Sequence, residues 1–113
     1  MPGVSTTQHR EGDLARNLRR LDARIRRWSN SRWASRGSDG RTRAQAAYEL
    51  ALTLAELARR AGNGAPDESP PVVEPHAIAD QLAVLGRELQ EAPDGAAHAK
   101  AGAAAVERLM QVL

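Results

Sequence analysis

The chain contains no cysteine and no phenylalanine. The first absence excludes disulfides, thiolate metal sites and a cysteine nucleophile together, and it fits a reducing compartment such as the cytoplasm. The second leaves two tryptophans and one tyrosine as the whole aromatic complement, so few large rings are on hand to fill a core or to stack on bases. Lysine occurs once, at Lys100, against 15 arginines. No run approaches the roughly 18 apolar residues that a membrane-spanning helix needs, and the amino terminus lacks the apolar stretch of a secretory signal. Strand signals are missing too, apart from the short pair Val72-Val73. These absences leave a cytoplasmic, all-α protein as the expectation.

What the chain does hold is alanine: 22 of its 113 residues. Alanine removes little area from water, and burial is worth only about 25 cal/mol per Å². A chain of this length forms one domain, so either its core is thin or its helices approach closely. A thin core also favours self-association, because a second copy buries what the monomer leaves exposed.

Hydrophobic periodicity places the elements. Residues 1–12 are polar and without rhythm and read as a mobile N-terminal tail, ahead of a single bundle domain at 13–113. Leu14, Leu18, Leu21, Ile25 and Trp28 recur at spacings of four, three, four and three, the single apolar stripe of a bundle helix. Asp13 is placed to cap its start, and the pattern predicts a helix to about Ala34, with Trp28 in the core and Trp33 at the bundle end. Gly37-Ser38-Asp39-Gly40 is a turn, and Asp39 is a cap candidate for a second helix from about Arg41 to Ala61. Ala47, Leu50, Leu54, Leu57 and Ala61 share one face of that helix, widened by Tyr48 and Leu52. Gly62 suits its stop.

From Asn63 to Pro75 the prolines prevent regular structure, and Pro70-Pro71-Val72-Val73 reads as extended. Each flank is too small to fold alone, which makes this stretch a crossover within one domain. A third helix begins near Pro75 and turns Ile78, Leu82, Leu85 and Leu89 inward; Pro93-Asp94-Gly95 ends it. The last helix, about Ala96 to Val112, presents Ala99, Gly102, Val106, Leu109 and Leu113 along one side. The expected architecture is an up-and-down four-helix bundle with its longest connection between the second and third helices.

Charge is divided unevenly along the chain. Residues 1–60 carry 13 basic and 6 acidic side chains, a net of +7, and residues 61–113 carry 3 and 8, a net of −5. The back of the first helix holds Arg16, Arg19, Arg20, Arg26 and Arg27, the candidate partner-binding face. Such a face suits nucleic-acid phosphates, an anionic membrane surface or an acidic protein surface, and it reads equally as a solvated face in an arginine-rich chain. The membrane use conflicts with the bundle, which already needs the apolar stripe. Five phosphate contacts on duplex DNA correspond to a log–log salt slope of about −4.5. Asp67, Glu68, Glu74, Asp80, Glu88 and Glu91 offer those arginines partners within the monomer or across a symmetric dimer.

Other motifs lead less far. His76 and Asp80 stand one helical turn apart, a spacing for two metal ligands, but His9 and His98 do not complete a set by spacing. Arg26-Arg27-Trp28-Ser29 matches a basophilic kinase acceptor. No acid–base or nucleophile constellation accompanies the positive charge. The stretch Leu52–Gly62 resembles the first helix of a helix-turn-helix repressor motif, yet the proline-rich residues that follow cannot form a recognition helix. Leu18-Arg-Arg-Leu-Asp22 resembles helical chorismate mutases, but Lys100 lies in the last helix and no second-helix Arg-Glu motif matches. The stretch His76–Gly86 resembles a segment of small, uncharacterised helical proteins of actinobacteria, which fits the arginine, alanine and glycine usage of a GC-rich genome; that resemblance implies a lineage and no activity. The expectation is therefore a non-enzymatic, self-associating helical interaction protein without cofactor or metal, its partner a second copy or another helical protein. The alternative is a nucleic-acid-associated protein that grips phosphates through the basic first helix.

Overall fold

The computed structural model describes residues 12–63 and 69–113. Among the described residues it holds five α-helices: α1 Asp13–Ile25, α2 Asn30–Ala34, α3 Arg43–Arg60, α4 Ile78–Glu91 and α5 Gly95–Val112. A 3-10 turn, Pro75–Ala77, leads into α4, and the only β pairing among these residues is an isolated bridge between Arg36 and Thr42. The all-helical expectation holds. The tail expected at 1–12 lies outside the described residues except for Gly12.

The first helix is shorter than its rhythm suggests. It stops at Ile25, and Ser29 caps a separate short helix by accepting the Arg32 backbone N–H at 3.2 Å. The break has a packing reason. On a continued helix Trp33 would lie well off the apolar stripe; the break rotates it inward until it is 2% exposed. Burying an indole removes about 150–250 Å² from water, worth about 4–6 kcal/mol at 25 cal/mol per Å². Trp28, expected in the core, is half-buried instead and meets Trp33 edge-on, with ring centroids 4.9 Å apart at 61°.

Two caps also differ from expectation. Asp13 is the first helical residue of α1 rather than its cap; Gly12 holds that position, and the Asp13 carboxylate pairs with Arg16. Thr42, not Asp39, caps α3 in a reciprocal box with Gln45, which satisfies two amides that the first turn leaves orphaned. Asp39 instead accepts the Arg41 backbone N–H within the preceding turn. At the other end of α3 the Gly62 stop is as expected. Gly62 adopts φ +99°, its N–H reaches the Arg59 carbonyl at 3.0 Å, and the Asn63 N–H reaches Ala58 at 2.8 Å. That pair of bonds is a Schellman motif, which needs a left-handed residue at the glycine.

The long helices pack in an order the turns alone do not reveal. α1 and α3 each pack against both α4 and α5. Arg26 reaches Asp80 while Leu18 nests on Gly86, so α1 and α4 run antiparallel. Asn17 reaches Ala103 and Arg24 reaches Met110, so α1 and α5 run parallel. The end of α3 meets the end of α4, through Asn63 to the Glu88 carbonyl and Asp94 to the Ala61 carbonyl. With α1 taken as up, the directions are up, down, down, up. The expected up-and-down alternation is thus not what forms. The start of α4 therefore lies back beside the start of α3, a helix about 27 Å long at 1.5 Å per residue. Between them Pro70-Pro71 is strapped down by the Tyr48 hydroxyl on the Pro70 carbonyl at 2.8 Å and the Gln81 amide on the Pro71 carbonyl at 2.7 Å.

The core confirms the expected faces except at Leu52, which is only partly buried and does not join the cluster, whereas Tyr48 packs against it. Leu14, Leu21, Ile25, Leu50, Leu54, Leu57, Ile78, Leu82, Leu85, Leu89, Val106 and Leu109 are buried in one cluster. Alanine and glycine let the helices close up around them: a Cβ on Gly86 would collide with Leu18, and one on Gly102 would sit 3.0 Å from Leu89 and 3.3 Å from Leu14. Among the described residues one polar side chain is buried within it, Asn17 at 6% exposure, and its Nδ2 donates to the Ala103 carbonyl at 3.1 Å.

Candidate partner-binding face

The arginines named from the sequence are all on the outside. Arg16, Arg19, Arg20, Arg26 and Arg27 are exposed, while Leu14, Leu21 and Ile25 on the opposite side of α1 are buried. The amphipathic reading of this helix therefore holds at the level of burial, with Leu18 half-buried in contact with α4.

The five do not form one equivalent set. Arg26 is committed twice: its guanidinium holds Asp22 on its own helix at 3.0 Å and Asp80 on α4 at 2.9 Å. Those two carboxylates raise the Arg26 pKa above its ordinary value, Asp22 first and Asp80 second. Arg16 pairs with Asp13. Arg20 and Arg27 have no acidic partner among the described residues. Beyond Arg27, the Arg32 guanidinium stacks 4.9 Å over the Trp28 ring, a cation–π contact that closes this end of the face.

Two further arginines take a different part that the charge count could not show. The carbonyl end of α5 receives Arg24 Nη1 at the Met110 carbonyl, 2.9 Å, the Ser38 N–H at the Val112 carbonyl, 3.0 Å, and Arg43 Nε at the Leu113 carbonyl, 3.0 Å. The last carbonyls of a helix have no partner within it and carry partial negative charge, so Arg24 and Arg43 cap α5. Only long-range contact reveals this. The residues are 86 and 70 positions apart from the carbonyls they serve.

Of the acids expected to answer the arginines, Asp80 does so through Arg26. Asp67 and Glu68 lie outside the described residues. Glu74, Glu88 and Glu91 are exposed without an arginine partner among the described residues. Most ion pairs are instead local, as in Asp39–Arg41 at 2.8 Å and Glu56–Arg60 at 2.9 Å, a class worth about 0–1 kcal/mol each. The His76–Asp80 pair does not become a metal site: both side chains are exposed, Asp80 faces Arg26, and among the described residues no three His, Cys, Asp or Glu side chains come together to hold a metal. No helix among them is long and apolar enough to cross a membrane.

A groove of about 360 Å³ runs between α1 and α4, floored by Leu18, Leu82 and Ala83 and flanked by Arg19, Arg26 and Arg87. A second, of about 470 Å³, lies between α3 and α4 beside the Pro70-Pro71 strap. Ser29, the kinase-type acceptor, is exposed at the head of α2. Gly62 ends the helix that resembles a repressor motif, and of the residues after it 69–74 are non-helical while 64–68 lie outside the description.

Compared with known proteins, the chain matches no family model, no characterised protein and no solved structure.

Proposed function

We propose that this chain is a non-enzymatic helical interaction protein that self-associates and docks partners through the arginine face of α1. Its four long helices are, on this reading, a four-helix bundle in which the crossover sets the up-down-down-up directions, and its setting is the cytoplasm. The observation that carries the proposal is the outward display of Arg16, Arg19, Arg20 and Arg27 over a packed apolar side. Surface charge dominated by one sign steers oppositely charged partners more than it stabilises a fold. The non-enzymatic part is supported by the interior, where among the described residues Asn17 is the one buried polar side chain and already has its hydrogen-bond partner.

Sedimentation from micromolar to millimolar concentration at low salt tests the self-association. A mass that rises with concentration is expected, and a strictly monomeric species throughout removes that part of the proposal.

The unpartnered Arg20 and Arg27 also favour a second reading, phosphate contacts on nucleic acid. Because Arg26 is held by Asp22 and Asp80 and Arg16 by Asp13, a reading on the unpartnered Arg20 and Arg27 alone lowers the salt slope from about −4.5 to about −1.8. Retention of random duplex DNA at 50 mM salt, weakened about 12-fold at 200 mM, is the expected signature. No retention at the lower salt eliminates this second reading.

A further inference from the structure

We propose that Ser29 is a phosphorylation site for an arginine-directed serine kinase, and that its phosphate draws Arg32 off the Trp28 ring at the end of the α1 face. This gives the docking face proposed above a regulator, and it rests on that reading only for its consequence, not for the acceptor. The sequence Arg26-Arg27-Trp28-Ser29 puts guanidiniums three and two residues before the hydroxyl, a charge pattern by which kinases choose their substrates. No other serine or threonine in the chain has arginine at both of those positions. Ser35 comes nearest, with Arg32 three residues before it. It is half-buried, however, and its Oγ is held between the Arg32 carbonyl and Arg43 Nη1.

The Ser29 hydroxyl is presented outward. α1 ends at Ile25 and α2 begins at Asn30, so residues 26–29 connect two helices across the surface. Of residues 26–31 only Trp28 is less than exposed. Ser29 itself has extended backbone, φ −73° and ψ 163°, the conformation in which a cleft reads a peptide segment. Arg27 has no acidic partner among the described residues and is open to an acidic kinase surface. Arg26 is held by Asp22 and Asp80, whose side chains are 36% and 71% exposed. Ion pairs this open to water exchange readily for another acidic partner.

The transfer balances with ATP as phosphoryl donor. The bond from Ser29 Oγ to the γ-phosphorus forms as the bond from that phosphorus to the β,γ-bridging oxygen breaks. ADP leaves, and the hydroxyl proton passes to the kinase's catalytic carboxylate. The product carries a charge of about −1.5 to −2 and three acceptor oxygens, which takes the formal net charge of +2 to about zero. Before transfer the Oγ accepts the Arg32 backbone N–H at 3.2 Å and lies 3.0 Å from Ser31 Oγ, while the Arg32 guanidinium sits 4.9 Å over the Trp28 ring. A dianion on that same oxygen offers the guanidinium a bidentate, charge-assisted partner, stronger than an exposed cation–π contact. Arg32 therefore leaves the ring for the phosphate. The new negative charge stands two residues from Arg27 and offsets its attraction for an acidic partner.

The intact chain, the catalytic subunit of a basophilic serine kinase and magnesium ATP test both halves. Mass spectrometry of the whole chain and its fragments is expected to find one phosphate, on Ser29. Ser29→Asn, which keeps a capping acceptor, and Arg27→Gln, at an exposed position, are each expected to lower the initial rate at least about tenfold, with unchanged circular dichroism verifying folding. No incorporation by the folded chain, or a rate in either variant equal to the parent's, overturns the site. The Trp28 indole N–H resonance, assigned through Trp28→Phe, is expected to shift on phosphorylation. Phosphate on Ser29 with that resonance unmoved overturns the Arg32 switch. An unmodified chain that neither self-associates nor retains DNA removes the docking reading, and the mass-spectrometric result still decides the site.

Discussion

Replacing Asn17 by aspartate exchanges one atom at the buried contact between α1 and α5. The Asn17 side chain is 6% exposed and gives its Nδ2 hydrogens to the Ala103 carbonyl at 3.1 Å. An aspartate here would be nearly the same shape, but when ionised it has no donor and would direct a carboxylate at a carbonyl oxygen. The lost hydrogen bond is worth about 0.5–1.5 kcal/mol, and a buried charge without a partner costs about 3–5 kcal/mol. Against a total stability of about 5–15 kcal/mol, Asn17→Asp removes about a quarter or more at neutral pH. Desolvation raises the native-state pKa of the introduced carboxyl above its unfolded value of about 3.9. The penalty is therefore absent below that unfolded pKa and grows as pH rises toward the native one. Asn17→Leu, which removes the donor and adds no charge, costs less than about 1 kcal/mol, because the Ala103 carbonyl keeps its helical partner within α5. Urea unfolding at neutral and acidic pH, followed by circular dichroism, measures all three proteins. Equal stability of the aspartate and leucine variants at neutral pH would mean that water reaches this site and that the contact is not a dry one.

The remaining predictions concern a turn and a cap. Gly62→Ala places a Cβ at φ +99° and 3.3 Å from the Pro93 ring, and it should lower stability by about 1–2 kcal/mol; an unchanged urea midpoint would mean that the Schellman turn is not holding the end of α3. The Asp39 carboxyl, hydrogen-bonded by the Arg41 side chain and then by its backbone N–H, titrates below the ordinary carboxylate range. Its contribution is present above the unfolded pKa and is lost as pH falls through the native value. Arg41→Gln should move the Asp39 midpoint upward in a carboxyl NMR titration, and an unmoved midpoint would assign the shift to some other cause.

The features legible in the sequence were those set by local rules. The four–three rhythm of Leu14 to Ile25, the inward faces of α3 and α4 and the Gly62 stop all depend on residues within a few turns of one another, and all appear as read. The directions of the helices, by contrast, depend on where the Pro70-Pro71 strap lies, and that is decided by Tyr48 and Gln81 from two different helices. The break before Ser29 follows from the gain in burying Trp33, which no periodicity contains. Asn17 sits on the edge of the apolar stripe and gave no signal as a polar residue; the Ala103 carbonyl that satisfies it comes from 86 residues away. The candidate face was legible as charge. Its division into Arg26, held by Asp22 and Asp80, and the unpartnered Arg20 and Arg27 was not, since Asp80 comes from another helix.

The absence of native cysteine opens a direct route to the central claim, the outward arginine face of α1: Arg27→Cys and Leu21→Cys are each labelled with a thiol reagent in the folded protein, folding being verified by circular dichroism. The account predicts that the thiol at position 27 reacts at close to the rate of a free thiol, because Arg27 is exposed, while the thiol at position 21 is protected, because Leu21 is 1% exposed. Protection of the thiol at position 27, or free reaction of the one at position 21, would contradict the orientation of α1 on which the candidate face depends.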